Sequence, residues 1–217
     1  MSFNDKKFSE IIKKLIKFKS STTRIPIKDV SWEELIWATL VFIYGGSNVE
    51  WDSQSHEKSV DVKANIDNVA VKISAKGGII KNELLTISSY RLTSFNKLKD
   101  RLSFIKNQHE NFDFYLICAR NVDSKKGITH YTILRVPPTK FAPPSILLTR
   151  NWKKTKGGYE LKINPGFKVK IVSKMSNQLW YSIPLDYFSN DEKLTSVSIP
   201  NDKLGDGLIE FLKNNTD

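Results

Sequence analysis

One acid and two lysines fall on a short run of alternating sequence. Asp61 follows Ser59-Val60, and the lysines lie in Ala70-Val71-Lys72-Ile73-Ser74-Ala75-Lys76-Gly77-Gly78. Asp67-Asn68 between them suits a two-residue turn, so 59–66 and 69–75 read as the arms of a hairpin. With that turn Ile66 faces Val69, Ala64 faces Val71, Val62 faces Ile73 and Val60 faces Ala75, all apolar pairs. Side chains alternate between faces, so Asp61 falls across from Ser74 on the other face, flanked by Lys72 and Lys76. The same register sets Lys63 against Lys72, a like-charge pair that a bare strand face disfavours and a phosphate-binding face tolerates. Metal-assisted phosphodiester hydrolysis needs carboxylate oxygens to hold the ion and a cation near the nucleophile and the developing charge. Asp61 and a lysine are the minimum for that chemistry.

The elements around this hairpin follow from periodicity. Residues 5–19 place Phe8, Ile11, Ile12, Leu15, Ile16 and Phe18 at helical spacing among lysines, an amphipathic basic helix. Ser31 suits the N-cap of a second, largely apolar helix from Trp32 to Tyr44, ended by Gly45-Gly46. Val49 to Trp51 reads as a strand before the hairpin. Gly77-Gly78 closes the hairpin's second arm, and apolar residues from Asn82 to Asn107 are spaced for a long helix or a broken pair. Phe112 to Arg120 and Thr129 to Val136 are strands. Pro137-Pro138 and Pro143-Pro144 bracket a stiff connector, after which short strands (159–163, 167–172, 179–183) alternate with polar turns and 204–214 reads as helix.

The expected fold is therefore α/β in the broad α+β sense, a mixed central sheet flanked by helices with a β-rich C-terminal lobe. Residues 1–140 make the core that carries hairpin 59–76, and 141–217 an accessory lobe.

Composition points the same way. The chain holds 34 Lys and Arg against 23 Asp and Glu, a net charge of +11, which favours a polyanionic partner through counterion release. The single cysteine, Cys118, sits in an apolar strand, so it forms no intrachain disulfide and suits a reducing cytoplasm. Neither the charged N-terminus nor any later stretch reads as a membrane span.

On Ser59-Val60-Asp61, the short hairpin and the Lys72–Ser74–Lys76 run, the chain resembles the PD-(D/E)XK nucleases, over about residues 31–95. Within that family it is most similar to small restriction enzymes. The resemblance implies a type II site-specific deoxyribonuclease acting on double-stranded DNA with Mg²⁺, Mn²⁺ as its substitute, in a cytoplasmic monomer or homodimer. Asp61, Lys72, Ser74 and Lys76 would be catalytic, with Asp61, Glu83 and Glu34 on the metal. Glu83 stands at the start of the expected helix after the hairpin, and Glu34, with Glu33 as the alternative, on the helix before it. The sequence departs from the family where the second acid belongs: that position is Ala70 if Lys72 is the motif lysine and Ser74 if Lys76 is.

Cations also concentrate at Arg150, Lys153, Lys154, Lys156, Lys162, Lys168, Lys170 and Lys174, beside Trp152, Tyr159 and Gly157-Gly158. Arg150, Lys153, Lys154 and Lys156 are the candidates for phosphate contact. Arg120 and Arg135, with Arg150 again, are side chains able to make bidentate base contacts. His56, His109 and His130 show no metal-ligand spacing, and no Walker or dinucleotide glycine motif occurs. Two rival functions remain: a non-catalytic nucleic-acid binder, supported by the absent second acid, and a basic interaction protein for an acidic partner.

Overall fold

A computed structural model describes residues 3–51, 60–141, 151–164, 166–175 and 177–215. Its first helix, α1 (Asp5–Ser21), starts where the Asn4 side chain accepts from the Lys7 amide at 3.0 Å, and buries Phe8, Ile12 and Ile16 with its lysines outside. The apolar α2 (Asp29–Tyr44) buries Trp32, Ile36 and Leu40 completely and stops at Gly45, whose φ of +90° favours a residue without Cβ. It begins before the expected Trp32, so Ser31 lies inside the helix and does not cap it. The Trp32 indole donates to the Leu116 carbonyl at 3.1 Å, pinning α2 on the sheet.

Beyond the short strand β1 (Val49–Glu50), the hairpin forms as its turn chemistry dictates. Asp67 and Asn68 take φ of 51° and 64°, the paired left-handed residues that a two-residue hairpin of right twist requires. Strands β2 (Val62–Ile66) and β3 (Val69–Lys81) pair as Val62 with Ile73, Lys63 with Lys72, Ala64 with Val71 and Ile66 with Val69. That is the register read from the sequence.

The segment after the hairpin differs from expectation. In place of a helix from Asn82, β3 continues through Gly77-Gly78 to Lys81, turns at Asn82-Glu83 and returns as β4 (Leu84–Arg91). Only then comes α3 (Leu98–His109). Leu85 and Ile87, which fit a helical count, are buried strand alternates. Gly78 permits the pairing, since a Cβ there would lie 2.7 Å from Leu85 Cδ1.

The described strands form one eleven-stranded mixed sheet with helices on its faces. β3 runs parallel to β5 (Phe114–Asp123) across the α3 crossover, and β5 pairs antiparallel with β6 (Ile128–Val136). Strands β7 (Lys153–Thr155), β8 (Gly158–Asn164), β9 (Phe167–Val172) and β10 (Gln178–Pro184) extend the sheet beyond β4, through β10. β11 (Lys193–Pro200) closes the opposite edge on β6, and α4 (Asp206–Asn215) follows. The residues after 151 thus join the sheet on both sides of the hairpin region.

Two cores result. On the outer face α1 and α2 pack on β2, β5, β6 and the first half of β3 through Ile12, Ile36, Ile73, Leu116 and Ile133. On the inner face the sheet curls so that Val169, Leu179, Tyr181 and Ile183 share a core with α3 and with Tyr115, Ile117 and Leu134. Cys118 is buried in the outer core and burial pushes its thiol pKa up, as expected of an inert strand cysteine. Among the described residues no helix is long and apolar enough to cross a membrane.

The turn makes a measurable claim on stability. Asn68→Gly relieves the left-handed strain and should raise the free energy of unfolding by up to about 1 kcal/mol, read as a higher urea midpoint at unchanged m. Asn68→Val should lower that free energy by about 1–2 kcal/mol.

A candidate catalytic fork in the sheet

The edge of β3 that faces β2 and β4 is divided between them. β2 takes Val69 to Ile73 and β4 takes Gly78 to Lys81, leaving 74–77 paired with neither on that side. The Asp61 amide donates to the Ile73 carbonyl at 2.9 Å, the last rung before the fork opens.

Into this gap Asp61 turns its carboxylate. Its Oδ2 accepts from the Ala75 amide at 2.7 Å, from Lys76 Nζ at 3.1 Å and from Ser74 Oγ at 3.2 Å. The Ala75 amide, left without a strand partner by the fork, is satisfied by the acid. Ser74 is fully buried, whereas the Asp61 and Lys76 side chains keep 23% and 19% exposure, enough for a ligand to reach them. Lys76 also borders a small void lined by Ile87, Ser89, Tyr115, Phe141 and Tyr181 on the inner face.

Of the two alignments left open by the sequence, Ser74-Ala75-Lys76 contacts Asp61. Lys72 is exposed, and its backbone is occupied by Asp113: the Lys72 amide donates to Asp113 Oδ2 at 2.7 Å and the Asp113 amide to the Lys72 carbonyl at 2.8 Å. Asp113, which sequence reading passed over, thereby anchors the start of β5 to β3.

The expected second acids stand elsewhere. Glu34 accepts from Lys19 Nζ at 3.0 Å, an α1–α2 ion pair. Glu33 meets the Trp51 indole at 3.3 Å. Glu83 is not on a helix but in the β3–β4 turn, seven residues after Lys76 and separated from it by the five residues of strand to Lys81, about 17 Å. Among the described residues no group of three or more His, Cys, Asp or Glu is gathered to hold a metal ion. With three donors already on one oxygen of Asp61 and no such group around it, the described donor set falls short of the octahedral Mg²⁺ centre that the sequence suggests.

The expected DNA-contacting residues divide as well. Arg135 is occupied, bonded to Asp5 Oδ2 at 2.7 Å and stacked 5.6 Å and 5.5 Å from the rings of Phe3 and Phe114. That ion pair and stacking engage it within the fold. Lys153, Lys154 and Lys156 are exposed on edge strand β7 and the following turn, where lysines also block edge-to-edge association. Arg150 lies outside the described residues. Arg120 sits on the outer face with Nε and Nη1 buried and unpartnered.

Behind the fork lies a polar group inside the apolar core. Tyr90 and Tyr115 hydroxyls are 3.3 Å apart, and the Tyr181 hydroxyl is 3.4 Å from His109 Nε2. Burial raises the pKa values of Tyr115 and Tyr181, and lowers that of His109 to about 4. Nothing in the sequence marks them, because they come from β4, β5, β10 and α3.

No protein-family model and no curated protein sequence matches the chain. A search of solved structures returns a protein described as a restriction endonuclease in complex with substrate DNA, 15% identical over 89% of this chain and 81% of that one, with a TM-score of 0.41.

His109 ties stability to acidity. A folded-state pKa near 4 against 6.5 unfolded means the neutral ring's contribution is complete above pH 6.5 and is lost as pH falls from there toward 4. Urea unfolding should lose about 2 kcal/mol between pH 7 and pH 5, and His109→Leu should remove most of that pH dependence. An unaltered pH dependence in the variant would assign the loss to other groups.

Proposed function

We propose that this protein is a DNA-acting phosphodiesterase of the type II restriction kind, hydrolysing double-stranded DNA at the forked edge of β3. The observation that carries the reading is the convergence of Asp61, Ser74 and Lys76 where two strands part, which leaves a carboxylate and an ammonium together at a partly open sheet edge. The net charge of +11 supports a polyanionic substrate.

In this reading the chain's own residues have distinct tasks. Lys76, held by Asp61, brings a fixed positive charge to a scissile phosphate and stabilises charge that grows as the bond breaks. Asp61, fixed by the Ala75 amide, keeps that lysine oriented, and it would hold a divalent ion only with further ligands beside it. Ser74 occupies the place where a second acid would complete the set.

That same position favours a second reading, in which the chain binds DNA and does not cut it, because no group of three or more metal-ligating side chains forms among the described residues.

Incubation of plasmid DNA with Mg²⁺ or Mn²⁺, with sequencing of the ends, separates the two. The nuclease reading expects discrete fragments produced slowly by the wild type and none by Asp61→Ala, whose DNA affinity stays equal or rises. Ser74→Glu should accelerate cutting about 100-fold, the effect of several kcal/mol supplied by a completed metal site. Wild-type cutting by Asp61→Ala removes Asp61 from the chemistry. Failure of the wild type and Ser74→Glu alike to cut with either ion leaves the binding protein.

A further inference from the structure

Strands β8, β9, β10 and β4 present a second face on the side of the sheet opposite the fork, bordered among the described residues by Ile27 and Lys28. Their inward side chains, among them Leu161, Val169, Tyr181 and Ile87, are buried in the inner core, and the outward ones between them all keep some exposure. The strand register lines these outward residues up. Lys162 stands opposite Lys168, Lys168 opposite Ser182, Ser182 opposite Thr86, Thr86 opposite Ile79, and Ile79 beside Arg120. A second row follows as Glu160, Lys170, Trp180 and Ser88. At about 4.8 Å between strands the first row runs about 24 Å across the sheet.

We propose that this face binds single-stranded nucleic acid, with Lys162, Lys168, Lys170 and Arg120 taking phosphates and Trp180 with Ile79 taking bases. Lys162 and Lys168 are directly opposed like charges, a pairing that costs stability unless an anion lies over it. The one acid in the two rows, Glu160, is spoken for by Lys170 at 3.0 Å, and its pKa is lowered by that bond and by the surrounding charges of Lys170, Lys168 and Lys162. Arg120 adds a cation whose buried Nε and Nη1 have no protein partner, and Trp180 Nε1 is likewise buried and unbonded. Both residues border an open groove of about 290 Å³ with Thr86 and Ser88 hydroxyls.

Charge alone fits any polyanion. The apolar strip decides the occupant: Ile79 is 55% exposed beside the partly exposed Trp180, in the middle of a cationic face. A duplex turns its bases inward and offers such a surface little to contact, whereas unpaired bases stack on it between lysine-held phosphates.

The test is binding of an end-labelled DNA single strand, and of its duplex, to the full chain without divalent metal, so that it stands apart from any cleavage result. Replacing Lys162, Lys168 and Lys170 with Gln should weaken single-strand binding and flatten the slope of log affinity against log salt by about 2 units, at roughly 0.7 per phosphate. The Lys153, Lys154 and Lys156 triple replacement should change that slope less. Trp180→Ala should weaken the single strand about tenfold with a smaller effect on the duplex, and Trp180→Phe should restore most of the loss. Single-strand binding by both the lysine and Trp180→Ala variants at wild-type strength overturns the proposal. So does equal weakening of duplex and single strand by Trp180→Ala, which would make the face a duplex surface.

Discussion

The register of the β2–β3 hairpin decides which side chains can meet, and it is held by a turn of two residues. Asp67 and Asn68 both adopt left-handed backbone, and a two-residue loop of that type leaves no slack for a slip. A shift by one position would carry Val62, Ala64, Ile66, Val71 and Ile73 out of the core beneath α2 and bring Lys63 and Lys72 into it. Hydrophobic burial and turn geometry therefore fix the same pairing. Asp61 comes to lie beside Ser74 and Lys76 as a consequence of where the apolar residues must go.

The fork then turns a strand edge into a site. An unpaired backbone amide in a partly buried place costs free energy unless something accepts from it, and Asp61 accepts from Ala75 while holding Lys76. The acid thus stabilises the fold at the point where it offers its charge to a ligand. This also limits its chemistry, since an oxygen engaged by three donors has little capacity left for a cation, and the described residues gather no group of three metal-ligating side chains around it.

The curl of the sheet gives its two faces different surroundings. Its inner side closes over α3 and over a cluster of tyrosines with His109, a polar group whose neutral forms are enforced by burial. Its outer side is covered by α1 and α2 across β3, β5 and β6, and the strands beyond carry lysines, hydroxyls and Trp180 to solvent.

Sequence alone determined what is local. The two-residue turn, the alternation of apolar residues and the face shared by Asp61, Ser74 and Lys76 were legible because each depends on neighbours in the chain or on one hairpin register. The fold class and most strands followed from the same alternation. The stretch 82–107 misled in its first part alone, because Leu84, Leu85 and Ile87 satisfy helical and strand spacing alike and only pairing of β4 with both β3 and β10 selects the strand, while 98–107 is helical as expected. Whether Glu34 and Glu83 reach the fork was decided by tertiary structure, since Lys19 from another helix claims the one and the length of β3 removes the other. The contact of Lys76, not Lys72, with Asp61, the ion pair of Arg135 with Asp5 and the alignment of Lys162, Lys168 and Arg120 into one row were likewise invisible in the sequence. Each joins residues far apart in the chain, and their meeting is set by how the sheet assembles, an outcome of packing summed over the whole molecule.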